Sequence, residues 1–253
     1  MLPKPGIKPS LTVLLFSCAT GCSLLPDLCN SDKQQAALNL QLANSYLQTG
    51  LLETAKTHLD KALRFDASNP RIYNSLGVYY QSRGDQQQAG YYFKTALDQA
   101  DDNPEIQVNY GGHLCSTGEQ KTGIALIQQA LASPDNDQPW LGDTQLGICL
   151  QLQNNLAAAE QHFRQALAGK CDYTPALLAM QKLSYQNRQY QSARGFWERY
   201  LSLGKPTAES LWLALQTERA LGNVHTTEQY RQQLLADFPN SQQAQQTKTA
   251  ISN

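Results

Sequence analysis

The sequence predicts an all-α solenoid of about six stacked helix pairs, and three observations predict it. Residue types recur with a period of 34. Small residues fall in two fixed columns of each unit, and large apolar residues fall in others. Gly50, Gly84 and Gly118 divide the first three units into helix-length halves.

Each column has a physical reason. Ala43, Gly77 and Gly111 share one position, and Ala55, Ala89 and Gly123 share another; small residues there let two helix backbones approach closely. Leu59, Phe93 and Ile127 fill the space beside them, and Ala62, Ala96 and Ala130 keep step. Tyr46, Tyr80 and Leu114 hold a large position in the first half. Copies run over 36–69, 70–103 and 104–137. Gln138 and Pro139 are then two extra residues, expected in a loop, before copies at 140–173, 174–207 and 208–241. The fourth carries Leu146, Gly147, Ala159, Phe163 and Ala166. In the fifth, Gln181 stands where Gly or Ala is expected, and in the sixth Glu218, Thr227 and Arg231 depart from the pattern. Terminal copies are expected to degenerate, because an end repeat shows one face to water. Residues 242–253, rich in Gln, Ser and Thr, read as a frayed helix or tail.

The amino terminus follows other rules. Lys4 and Lys8 precede the apolar run from Leu11 to Phe16, and small residues lead to Cys18 and Cys22. That order reads as a secretory signal over 1–21. The run is far short of the roughly 20 residues that span a bilayer. Ala19-Thr20-Gly21-Cys22 resembles a bacterial lipobox, with Cys22 as the lipidated residue and Cys18 as the alternative. The box implies a membrane anchor, and Ser23 after the cysteine implies sorting to the periplasmic face of the outer membrane. Residues 22–35 are expected to form the lipidated terminus and a tether.

Several function classes are disfavoured. Twenty basic and 21 acidic residues give a net charge of −1 without runs, so the basic stripe of a nucleic-acid binder is missing. No nucleophile elbow, phosphate loop or HExxH occurs, and no enzymatic activity or cofactor is expected. The cysteines form no CxxC and match no zinc spacing, so no metal is expected. Cys29, Cys115, Cys149 and Cys171 leave disulfide pairing open; Cys115 and Cys149 fall in helical patterns, where a small buried hydrophobe is expected. His58 and His162 are expected on helix surfaces.

The period and residue types resemble the tetratricopeptide-repeat (TPR) family, most fully in the copy with Tyr73, Leu76, Gly77, Tyr80, Ala89, Phe93 and Ala96. The resemblance implies a right-handed superhelix whose first helices line a concave binding face. Its inward positions would be Leu40, Asn44 and Leu47, then Asn74, Val78 and Gln81, then Val108, Gly112 and Cys115. The fourth repeat adds Leu141, Thr144, Ile148 and Leu152. This set is mostly apolar, and Leu40 and Val108 cannot supply the lysines with which some TPR proteins clamp chaperone tails. It suits an extended segment or amphipathic helix of a partner. Gly112 is expected to leave room for that partner to approach.

A lipobox followed by six such repeats is similar to the pilotin lipoproteins of type IV pilus biogenesis, the PilF/PilW family. The resemblance rests on ALNLQLANSYLQTGLLETAKTHLDKAL, on NYGGHLC, and on SARGFWERY from Ser192 to Tyr200. It implies binding of the outer-membrane secretin of the pilus and help in localising and multimerising it. The alternative is another envelope TPR lipoprotein that scaffolds peptidoglycan or outer-membrane assembly enzymes.

Overall fold

The computed structural model describes residues 25–249, with side chains from 31 to 248. Cys18 and Cys22, on which the anchor reading rests, lie outside them. Thirteen helices and no strand occur among the described residues. Six antiparallel pairs follow one another: α1 (Leu25–Gln48) with α2 (Leu52–Phe65), α3 (Pro70–Ser82) with α4 (Gln86–Gln99), α5 (Pro104–Ser116) with α6 (Gln120–Ala132). Then come α7 (Pro139–Leu152) with α8 (Leu156–Gly169), α9 (Thr174–Gln186) with α10 (Tyr190–Leu201), and α11 (Ala208–Ala220) with α12 (Val224–Asp237). A short α13 (Gln242–Thr249) closes the end.

Local chemistry starts and stops each helix. Asn69 and Asn103 cap α3 and α5 by accepting backbone N–H bonds from Arg71 and Ile106, with Pro70 and Pro104 in the first turn where no N–H is needed. Thr207 and Ser210 form a reciprocal capping box on α11. Between the helices of every pair the chain turns through a left-handed residue at the same repeat position. Gly50, Gly84, Gly118 and Gly222 serve in four pairs, with φ between 75° and 103°. Asn154 (φ 60°) and Arg188 (φ 58°) serve in the fourth and fifth.

The small columns are required by the packing. A Cβ on Gly77 would lie 2.5 Å from the Phe93 ring, and one on Gly147 equally close to the Phe163 ring. One on Gly111 would lie 2.6 Å from Ile127 Cγ1 and 2.8 Å from the Gly123 carbonyl oxygen. Phe93, Ile127 and Phe163 are fully buried between the helices of their own pair. Each pair stacks on the next, so the core runs as a chain of adjoining clusters instead of one centre.

Two expectations need correction. The segment read as a tether is helical from Leu25, and its Pro26 falls in the first turn, the one place a helix accepts it. Pro139, expected in a loop, begins α7 for the same reason, leaving 133–138 as the connection. Of the segment read as a frayed helix or tail, 242–249 form the short α13, which buries Ala244 against Leu211, Ala214 and Leu234 and covers the last pair.

Cys115 and Cys149 are buried as expected, but they are not free hydrophobes: they form a disulfide between α5 and α7. Cys171 is free and exposed.

Candidate protein-binding face

The first helices of successive pairs pack side by side, and residues they share line three hollows. Leu40, Asn44, Gln48 and Arg71 line the first. Val108, Glu105 and Leu141 line the second, together with the loop before α7. Ile148, Leu178 and Leu213, from α7, α9 and α11, line the third.

Side-chain hydrogen bonds tie these helices to each other. The Ser75 hydroxyl donates to Asn44 at 2.7 Å, and the Asn109 amide donates to Asn74 at 3.1 Å. Asn74 in turn donates to Glu105 at 3.3 Å, and Glu105 pairs with Arg71. Gln151 donates to Gln186 at 2.8 Å, and Lys182 pairs with Glu209 at 3.2 Å. The face thus carries few unengaged charges.

The residues expected on this face divide by repeat position. Gln81, Ile148 and Leu152 are exposed, and Asn44, Leu47, Val78 and Leu141 are half-buried. Leu40, Asn74, Val108 and Thr144, one position in four repeats, are all buried at 8% exposure or less. Their column faces the neighbouring first helix more than the open hollow; Thr144 simply returns its hydroxyl to the Trp140 carbonyl. Cys115 is withdrawn into the disulfide. Gly112 does leave room, but the chain fills it: a Cβ there would lie 2.7 Å from the Gln145 amide oxygen.

The third hollow was legible in part. Ile148 was named, but Pro175, Leu178, Lys182 and Glu209 were not. The inward repeat positions applied to the fifth and sixth copies would have found them.

The histidines depart from the surface reading. His58 and His162 are half-buried, and each Nδ1 meets a partner at 2.9 Å, Asn39 and Asp143, at matching repeat positions. The second pair puts the stacked Tyr73 and Tyr92 there. His113 is buried at 4%, beside Phe93 and Tyr110, and its Nδ1 has no hydrogen-bond partner. Burial holds its pKa below the ordinary value, against a small opposite pull from Glu119. Burial also pushes the Tyr173 phenol up to about 12. Among the described residues, no cluster of three or more His, Cys, Asp or Glu could hold a metal ion. No described helix is long and apolar enough to cross a membrane.

The family model described as a TPR repeat matches residues 43–84, spanning the α1–α2 and α3–α4 junction just described. The chain folds as a tetratricopeptide-repeat solenoid. The TPR chain is 29% identical to the type IV pilus assembly protein PilF of Pseudomonas aeruginosa over 248 residues, covering 95% of this chain and 97% of PilF. Among solved structures, it is similar to PilW, titled a widely conserved type IV pilus biogenesis factor (TM-score 0.65, 27% identity, 83% of this chain and 97% of PilW). The Pseudomonas aeruginosa PilF structure shares the fold (TM-score 0.63, 24% identity, 87% of this chain and 99% of that one).

Proposed function

We propose that this TPR chain is a non-enzymatic outer-membrane lipoprotein of type IV pilus biogenesis, which binds the pilus secretin and promotes its localisation and multimerisation. The observation that carries the reading is the match to PilF, which runs nearly end to end in both chains. A shared repeat alone would match locally; an end-to-end match supports a shared arrangement of hollows and ends. The open face of apolar and amide side chains supports a protein partner.

Deleting the gene and assaying secretin multimers on gels, with affinity capture of the membrane-anchored chain, tests the role. Loss of multimers and recovery of the secretin support it. Intact multimers, or capture of peptidoglycan or outer-membrane assembly enzymes instead, reject it in favour of the other envelope reading. Cys22→Ser and Cys18→Ser test the anchor by lipid labelling. Labelling lost only in Cys18→Ser moves the site, and absence of labelling in the wild-type chain rejects the lipoprotein.

A further inference from the structure

We propose that the amino-terminal end of the stack is a self-association face, on which two copies of this chain meet head to head through α1. The face is the end of the array, separate from the row of hollows, and the inference does not depend on the secretin reading.

Positions 3 and 7 of each repeat are stacking positions. In the second pair they hold Ile72 and Leu76, which join Leu59 and Ala62 of the pair before. Leu146 likewise joins Ile127 of the third pair, and Met180 joins Phe163 of the fourth. Ile72, Leu76, Leu146 and Met180 are all 2% exposed or less. In the first pair the same positions hold Leu38 and Leu42, one turn apart on α1. No pair precedes it among the described residues, and Leu38 is 52% and Leu42 37% exposed. An end repeat ordinarily turns a polar face to water. This end keeps the apolar side chains of an interior junction.

The opposite end is closed. There α13 covers the last pair, with Ala244 packed among Leu211, Ala214 and Leu234. A second copy cannot add its first pair to that end without displacing α13, so head-to-tail growth is blocked. What remains is the same face on both copies, an isologous contact that stops at two.

The chemistry of the face fits itself. From Gln34 to Leu52 the chain carries no charged residue, so two copies bring no like charges together. Gln34, Gln35 and Gln41 are exposed and stand three or four positions from Leu38, hence beside it on the helix. A carboxamide both donates and accepts, so leucines ringed by amides complement an identical set. A helix seated on a bilayer instead flanks its apolar stripe with Lys and Arg, and Lys33 is the sole basic residue of α1.

Reach comes from the length of α1. It has 24 residues, where the other first helices have 13 or 14. Its first described side chains, 31–35, are all exposed. Helical propensity alone holds such an extension weakly, and a second α1 lying antiparallel gives it a surface to pack on. With α1 about 36 Å and α2 about 21 Å long, each about 10 Å wide, the end face offers roughly 570 Å² in flat projection. Two such faces stand near the lower limit of specific interfaces, which sets the expectation of a weak, reversible dimer.

The test is sedimentation velocity on the chain from residue 23 onward, with Cys29→Ser and Cys171→Ser so that no disulfide between chains imitates the contact. Mass should rise reversibly from one chain to two between about 1 and about 500 µM, the span of a small interface. Leu38→Glu and Leu42→Lys should each weaken the dimer by about tenfold or more, because each buries a charge without a partner. Both side chains are exposed in the single chain, so circular dichroism should stay helical. An antiparallel two-fold contact sets Leu38 of one copy against Leu42 of the other, and mixing the two variants should therefore recover association as a mixed dimer. A chain that stays monomeric throughout, forms assemblies larger than two, or dimerises undiminished with either substitution overturns the proposal. So does binding to phosphatidylcholine vesicles that Leu38→Glu abolishes, in the absence of any dimer.

Discussion

Cys115 and Cys149 lie 34 residues apart, one repeat length, yet occupy different positions of their repeats. The two extra residues at 138–139 shift the register between them, so the bonded sulfurs join the end of α5 to the last turn of α7. The bridge closes a loop that contains all of α6 and the 133–138 connection. Loop-closure entropy for that span corresponds to about 3–4 kcal/mol. Cys149→Ser, or reduction with dithiothreitol, should lower the unfolding free energy by about that amount. Urea melts with and without reductant check it; coincident curves would show that the bridge contributes nothing.

Gly111 and Gly112 should behave oppositely. Gly111 faces the Ile127 side chain and the Gly123 backbone, and backbone cannot yield. Gly111→Ala should destabilise by about 1–3 kcal/mol. Gly112 faces only the end of the flexible Gln145 side chain. Gly112→Ala gains helix propensity of about 1 kcal/mol against the cost of moving that amide. Its melting temperature should stay near wild type, and exceed it when Gln145→Ala is added.

His113 makes stability depend on pH. Its folded pKa is lowered by burial, so between the unfolded value near 6.5 and the lower folded one the unfolded chain binds more protons. Its stabilising contribution is full above that unfolded value and is lost as pH falls below it. The melting temperature should therefore fall between pH 7.5 and pH 5.5, by about the range in which an ordinary histidine titrates. His113→Gln, similar in size and without a titrating ring, should flatten the slope. An unchanged slope would assign the acid sensitivity elsewhere.

Arg188 holds the left-handed turn that glycine holds in four other pairs. That conformation costs a side-chain-bearing residue about 1–2 kcal/mol, part of which a glycine returns as unfolded-state entropy. Arg188→Gly should raise stability by about 0.5–1 kcal/mol. Thermal or chemical melts of this single variant suffice, and a loss of stability would mean that the arginine makes contacts worth more than the strain.

The helix pairs were legible because their constraints are local and repeated. Gly77 against Phe93 and Gly147 against Phe163 obey one spacing rule, and that rule fixed the register. What escaped depends on contacts between repeats, which no single column reveals. The disulfide needs the two-residue register shift, and the burial of Asn74 and Thr144 depends on the neighbouring first helix. The helical start at Leu25 escaped because polar residues around Ser31 and Asp32 read as tether, while nothing there forbids a helix. Repeat-family positions located Ile148 on this face, and the same positions in the fifth and sixth copies, Leu178, Lys182 and Glu209, complete the third hollow.

The 133–138 connection is, with 202–207, one of the two longest links between neighbouring pairs, and the disulfide bolts the array at that junction. Stacked repeats flex like coils of a spring, each coil yielding a little against the next. Here one of the two longest joints is clamped, so elastic compliance is displaced to the coils on either side. Pulled from its two ends, the array should stretch as two soft springs in series with a stiff coupler, the front hollow riding on one and the rear hollow on the other. Reducing the bond would merge them into one spring.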